Sequence, residues 1–325
     1  MKWDDRIGRR LKLRDLHVLL AVAEMGSMGK AAERLAISQP SVSKAIADME
    51  HTVGVRLLDR TARGVEPTDY GRALLQRSLG AFDELRQGIK DIEYLADPTV
   101  GEVRVGCPEA ISAGLLSAAI DLFSRRYPKA IVTVTPADNM SLEFRRVRDR
   151  QVDFLLGRAP ELFEEDDLNA EVLYRDRMYI VSSRNSHWAR RRKITLAELV
   201  GAPWLLAPSM FGLILAEAFQ AGGLPVPKIN VGCYSTHQTI SLLATNRFVS
   251  ALSGSQLRFN ADRFSIKLLP VDFTTHAWPV AMITLKSRMI SPVVQTFMNC
   301  VREAAKPMIK IEASLGKVRT MPSHA

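Results

Sequence analysis

The segment Ser38–Ala47 reads Ser-Gln-Pro-Ser-Val-Ser-Lys-Ala-Ile-Ala. It carries an amide, three hydroxyls and an ammonium, with no acid, histidine or cysteine among them. Such groups donate and accept hydrogen bonds, and with none of those three to activate a hydroxyl, the chemistry they suggest is recognition. Bond-making chemistry has one candidate elsewhere, Cys107, with His187, His237 and His276 as possible bases. Cys107 is followed by Pro108, and no histidine stands in a recognisable motif. Cys107, Cys233 and Cys300 lack CxxC or CxxxH spacing, so neither a metal site nor a disulfide framework is expected, and no cofactor is called for.

The elements that must position Ser38–Ala47 are short helices. Leu16, Leu19, Leu20 and Ala23 share one face of a helix that ends near Gly26. Ser27 caps a second helix carrying Ala31, Ala32 and Leu35, which stops near Ala36–Ile37. Ser38 caps a third, with Pro40 in the first turn, where a missing N–H costs nothing. On this helix Val42, Ala45, Ile46, Met49 and Val53 form a buried stripe, leaving Pro40, Ser43, Lys44 and Ala47 opposite. Two extended pieces follow, Val55–Leu58 and Val65–Pro67, around a turn with Arg60, Thr61, Arg63 and Gly64. This pattern is a winged helix-turn-helix.

A helix face so slim suits the major groove of B-DNA. Gln39 can pair with adenine, Lys44 can donate to guanine, and Pro40 or Ala47 can touch a thymine methyl, while Ser41 and Ser43 allow close approach. Ser27 and Ser38 mark helix N-termini suited to phosphate. Arg63 at the wing tip reaches toward the minor groove, with Arg60 and Thr61 on phosphate. The net charge of +9 and pI near 9.6 favour an anionic partner. The first seventy residues are nevertheless almost balanced, 12 basic against 10 acidic. The basic runs lie at Arg6–Arg14 and Arg190–Lys193, and the second reads first as a solvated face.

From Thr68 a helical pattern runs to Ala96 and stops at Asp97-Pro98. Leu75, Ser78, Phe82, Leu85, Ile89, Ile92 and Ala96 step by three and four, a heptad seam on a helix of about 40 Å. Leu75, Phe82, Leu85, Ile89 and Ile92 are the expected dimerisation contacts. Past Gly101, short β-rich runs alternate with helical segments, which argues for mainly parallel α/β sheets. The expected division is 1–68 for the winged helix, 69–97 for the linker helix, 98–312 for the α/β part and 313–325 for a disordered tail. No apolar run approaches a signal peptide core or a spanning helix, so a cytoplasmic protein without membrane association is expected.

Residues 13–75 carry A-A-x-x-L, S-Q-P-x-V-S, Met49-Glu50, G-V-R-L-L-D-R and P-T-x-x-G in order, followed by looser matches at GEVRVG, RYP, VDFLLG and FVSALS. In these the chain resembles the LysR-type transcriptional regulators over nearly its whole length. It looks nearest the subset regulating galactose-binding protein and aromatic-acid catabolism. The resemblance implies a winged-helix DNA-binding domain, a dimerising linker helix and a two-lobed α/β domain similar to periplasmic binding proteins. It implies a homodimer or homotetramer on double-stranded promoter DNA, a small-molecule effector and, for an activator, RNA polymerase as a partner. DNA contacts carried over by motif fall on Gln39, Pro40, Ser43, Lys44 and Arg63. Lys44 stands where the family often has arginine and lacks its planar fork.

In open α/β sheets ligands lie beyond the carboxyl ends of strands. Those ends supply Glu109 and Ala110; Asn139, Met140 and Ser141; Ser209, Met210 and Phe211; Tyr234, Ser235 and Thr236; and Ser253. The hydroxyls and helix starts favour an anion or a polyol, with Phe211 and Tyr234 as an apolar wall. Relatives bind organic acids through a hydroxyl residue in the first of these loops, where this chain has Ala110 after Glu109. An inward-facing Glu109 would repel a carboxylate. The competing readings are an architectural DNA-binding protein without a ligand, a solute-binding protein and a Cys107-dependent enzyme.

Overall fold

The computed structural model describes residues 10–61, 64–137, 140–206, 210–233, 235–273 and 275–318; side chains at 60, 140–143, 210–213 and 309–318 are outside the description. The chain forms two compact units, residues 1–89 and 90–325.

In the first unit, α1 (Leu13–Met25), α2 (Met28–Leu35) and α3 (Gln39–Val53) enclose one core. Leu16, Leu19 and Val22 from α1 meet Ala31 and Ala32 from α2 and Val42, Ala45, Ile46 and Met49 from α3. Each joint has a local cause. Gly26 ends α1 at φ 62°, and Ser27 and Ser38 accept bonds from Lys30 N and Ser41 N as caps. The wing is an antiparallel pair, β1 (Leu58–Thr61) and β2 (Gly64–Pro67).

The first wing strand therefore begins at Leu58 and includes Arg60 and Thr61, whereas the sequence pattern places a strand at Val55–Leu58 and a turn at Arg60–Thr61. Leu57 stands at the frayed end of the ladder: its carbonyl accepts from Thr68 N at 3.0 Å, in register with the Leu58–Pro67 pair, but its N–H is diverted to Glu50 Oε1 at 2.7 Å. The helix α4 (Asp69–Ala96) starts here. Its Leu75 and Phe82 pack against the winged-helix core of their own chain, so these two are not free seam positions. Leu85, Ile89 and Ile92 are exposed, joined by Leu95 one turn on.

The second unit contains two five-stranded sheets. One has the order β4-β3-β5-β12-β6, from β3 (Glu102–Cys107), β4 (Ile131–Pro136), β5 (Phe154–Arg158), β6 (Leu168–Asp176) and β12 (Trp278–Leu285). The other has β11-β7-β10-β8-β9, from β7 (Met178–Ser183), β8 (Trp204–Leu206), β9 (Ile229–Gly232), β10 (Val249–Ser253) and β11 (Ile266–Leu268). The expectation of mainly parallel sheets is corrected. β3, β4 and β5 run parallel, as do β8, β9 and β10, but β12 is antiparallel to both its neighbours, and so is β7. The cause is the chain path. It passes from the first lobe to the second at Arg177 and returns before Trp278, so the crossing strands enter each sheet from the opposite end.

Helices cover both faces. Against the first sheet lie α5 (Ser117–Arg126) and α10 (Pro292–Val318), with Phe123, Phe154 and Phe297 at the centre, and α6 (Met140–Arg148) on the other face. Against the second lie α7 (Met210–Ala221), α8 (Thr236–Leu243) and α9 (Gly254–Asn260), with Trp204 and Phe219 fully buried. A short turn Glu109–Ile111 and a π-helical segment Ser112–Leu116 lead into α5. α10 runs to Val318, past the start of the expected tail; residues 319–325 lie outside the description. Among the described residues no helix is long and apolar enough to cross a membrane.

Candidate nucleic-acid interface and effector cleft

The third helix presents two faces of opposite character. Val42, Ile46 and Met49 are buried, whereas Gln39, Pro40, Ser41, Lys44 and Ala47 are exposed and Ser43 is half-buried. At its start the hydroxyls of Ser38 and Ser41 lie 2.8 Å apart, and Ser38 Oγ also accepts from Ser41 N at 3.3 Å. Both serines thus hold the helix end in shape, as Ser27 does for α2, accepting from Lys30 N at 3.5 Å. Lys44 makes no ion pair among the described residues. Of the wing residues, Thr61 Oγ1 donates to Gly64 O at 3.4 Å; Arg63 and the Arg60 side chain lie outside the description.

What fixes the wing relative to the helices is a residue to which sequence reasoning gave no role. Glu50, on the inner side of α3, accepts from Leu57 N at 2.7 Å and Leu58 N at 3.2 Å. The wing's other strand is tied to the α1–α2 joint, where Val65 N donates to Gly26 O at 2.9 Å. Gly64, at φ 132°, permits that approach: a Cβ there would lie 2.4 Å from Gly26 O.

In the second unit, Glu109 and Thr236 meet, although they belong to different lobes. Thr236 N donates to both carboxylate oxygens of Glu109 at 3.0 Å, and Thr236 Oγ1 donates to Oε2 at 2.6 Å. Thr236 is buried and opens α8; Glu109 keeps much of its surface in solvent. Gln256 Nε2 donates to Thr236 Oγ1 at 2.8 Å, which leaves that hydroxyl's proton for Glu109. Ala110 is half-buried beside it, and Ser235 caps α8 by accepting from Gln238 N at 3.2 Å.

Ser253 departs from the expected role. It is 1% exposed and closes a capping box with Gln256, so its hydroxyl is spent on α9 rather than turned to a ligand. Asn139, Ser209 and Tyr234 lie outside the described residues, as do the side chains of Met140, Ser141, Met210 and Phe211.

Behind this contact lies a buried polar group invisible in the sequence pattern. Asp176, at the end of β6, accepts from Ser255 Oγ at 2.6 Å and faces Arg158. Burial raises the Asp176 carboxyl and lowers the Arg158 guanidinium from their ordinary values; Ser255 and the mutual attraction oppose those shifts. Nearby, Glu161 takes both Nη atoms of Arg175, at 2.6 and 2.7 Å, and His276 Nε2 at 2.6 Å. Arg175 and His276 stand on the two segments by which the chain crosses between lobes, so Glu161 ties the crossings together.

Cys107 is 1% exposed, and burial pushes its thiol well above the ordinary range, which makes it a poor source of thiolate. Among the described residues no group of His, Cys, Asp and Glu could hold a metal ion.

Two family models match, the LysR substrate binding domain over residues 96–306 and the bacterial regulatory helix-turn-helix protein of the lysR family over 13–72. The chain belongs to the LysR family of transcriptional regulators. The HTH-type transcriptional regulator GbpR of Azospirillum brasilense is 28% identical, with 91% of this chain and 87% of GbpR covered. PcaQ of Agrobacterium fabrum (strain C58 / ATCC 33970), also an HTH-type transcriptional regulator, is 26% identical, covering 92% and 96%. The crystal structure of CbnR, a LysR family transcriptional regulator, superposes with a TM-score of 0.58 at 21% identity over 91% of this chain and 99% of CbnR. Full-length CbnR complexed with its target DNA gives 0.50 at 22% identity, over 91% and 100%. As a LysR regulator the chain comprises a DNA-binding helix-turn-helix domain and an effector-binding domain, whose two lobes are the sheets described above.

Proposed function

We propose that this regulator binds promoter DNA in a sequence-specific way through α3 and the wing, and that a small molecule between its two C-terminal lobes alters those contacts. The observation that carries the reading is the exposed, slim side of α3, with Gln39, Pro40, Ser41 and Lys44 outward and Val42, Ile46 and Met49 locked inside. Gln39 and Lys44 read base edges, Pro40 and Ser43 fit against the groove, and Ser27, Ser38, Arg60, Thr61 and Arg63 serve the backbone. The exposed stripe Leu85, Ile89 and Ile92 supports a homodimer through α4, because an apolar helix face in water gains by covering itself with a second copy. The candidate effector contacts are Ala110 and Ser235, with Ser141, Ser209, Phe211 and Tyr234 assigned from the sequence pattern alone. The protein acts in the cytoplasm, as a dimer or tetramer, and contacts RNA polymerase where it activates.

The test is Gln39→Ala on a footprinted promoter fragment. Loss of a bidentate base contact costs about 1–3 kcal/mol of specific binding and leaves non-specific binding unchanged. Equal losses on specific and random duplex would show that Gln39 reads no base, and absence of any protected sequence would defeat the reading.

A further inference from the structure

The first-turn N–H groups of a helix lack partners within the helix and lie at the positive end of its dipole, so they draw anions. On α8 that place is already taken. Thr236 N divides its bond between both oxygens of Glu109, and its hydroxyl adds a third contact of 2.6 Å. The occupant comes from the opposite lobe, 127 residues away in sequence. Its position is fixed from both sides. Glu109 sits in the turn directly after β3, ahead of the π-helical segment, where Gly114 lets that segment approach Phe259 of α9 so closely that a Cβ would lie 2.9 Å from the ring. Thr236 is held by Gln256, itself locked in the Ser253 capping box.

We infer that Glu109 is a built-in carboxylate that latches the two lobes at the α8 N-terminus and bars organic anions from that end of the cleft. The inference rests on the proposed effector cleft and narrows what the cleft accepts. A ligand reaching this end meets a carboxylate with lone pairs still open to solvent, so it offers hydrogen-bond donors, as hydroxyl-bearing or cationic small molecules do, and carries no carboxylate there. A free organic acid binds only if it displaces Glu109, which competes at the high effective concentration of an intramolecular group.

The experiment titrates benzoate into the full-length wild type and Glu109→Ala by calorimetry, with sodium chloride at equal ionic strength as the control. Removing Glu109 opens the α8 amide and hydroxyl to an incoming carboxylate, worth roughly a tenfold or greater gain in affinity. The variant is expected to bind benzoate at least about tenfold more tightly than the wild type. Hydrogen exchange at the Thr236 amide is expected to accelerate in the variant and slow again with benzoate. Equal affinity in the two proteins overturns the inference, as does an unchanged Thr236 amide. Should Glu109→Ala not fold, Glu109→Ser carries the same comparison. Saturable benzoate binding by the wild type, absent with chloride, overturns it without any variant. Promoter footprinting of the wild type runs alongside; its failure would remove the proposed function and leave the benzoate comparison standing.

Discussion

Removing the Glu50 side chain separates the wing from the reading helix without touching either surface. Both bonds from Leu57 N and Leu58 N end on one carboxylate oxygen, Oε1. Leu57 is 2% and Leu58 7% exposed, so water cannot readily replace the lost acceptor. A hydrogen bond to a charged group contributes about 1.5–3 kcal/mol, and a stranded buried donor costs a similar amount. Because the second bond is long at 3.2 Å, Glu50→Ala should destabilise this corner by roughly 2–4 kcal/mol. Glu50→Gln keeps a carbonyl oxygen in place and loses only the charge, about 1 kcal/mol. The assay is amide hydrogen exchange at Leu57 and Leu58 in the full chain, together with DNA titrations on promoter and random duplex. In the alanine variant, exchange at these amides should rise roughly thirtyfold or more, with the glutamine variant between it and the wild type. DNA affinity should fall on both duplexes, because a displaced wing removes backbone contacts rather than base readout. Unchanged protection of Leu57 and Leu58 in Glu50→Ala would refute the reasoning, whatever happened to DNA binding.

The remaining expectations concern α4 and the crossing between lobes. Leu85→Glu with Ile89→Glu should lower the solution mass toward a monomer while leaving the winged-helix melt unchanged, since both side chains are exposed; an unchanged mass would return this stripe to another role. Phe82→Glu should instead damage the winged-helix core directly, because Phe82 packs there beside His17 at a ring distance of 5.9 Å. Hydrogen bonds from Arg175, and secondarily His276, hold the Glu161 carboxyl at about 2, below an ordinary 4.5. A depressed folded pKa gives stability that is present above the unfolded value and lost as pH falls through the folded one. The melting temperature should therefore drop between pH 4.5 and 2, and more steeply in the wild type than in Glu161→Gln; parallel curves would show that Glu161 does not tie the crossings.

Local signals were the legible part of this molecule. Ser38, Pro40 and Gly54 bracket α3, and the stripe from Val42 to Met49 is buried as the 3.6-residue period requires. The same logic failed where a distant partner decides the conformation. Val55–Leu57 has the composition of a strand, yet Glu50 takes the Leu57 N–H that would have carried the ladder on past Leu58. β6 escaped notice because Asn169, Glu171, Arg175 and Asp176 dilute its apolar residues; it is fixed by pairing along β12 from Leu168 to Asp176. α9 is only seven residues long and opens on glycine, but Ser253 and Gln256 stand at capping-box spacing, a signal available in the sequence.

The lobes expose the limit of sequence periodicity more sharply. Glu109 and Asp176 each satisfy a helix start, and neither pairing has a local signature. Glu109 reaches Thr236 across 127 residues, and Asp176 reaches Ser255 across 79. A carboxylate after a strand reads from sequence as a solvated loop residue, since nothing nearby shows which unpaired amide will face it. The two differ in burial, and that difference sets what each can do. Asp176 is 2% exposed and its carboxyl is raised by burial, so exchanging its partner for water would leave a charge stranded in the protein. Glu109 stands open to solvent, so its own charge stays hydrated on release, and the cost falls on the buried Thr236 donors that an incoming group must then satisfy. Of these two carboxylates, the one that a small molecule can reach is therefore also the one the fold can release.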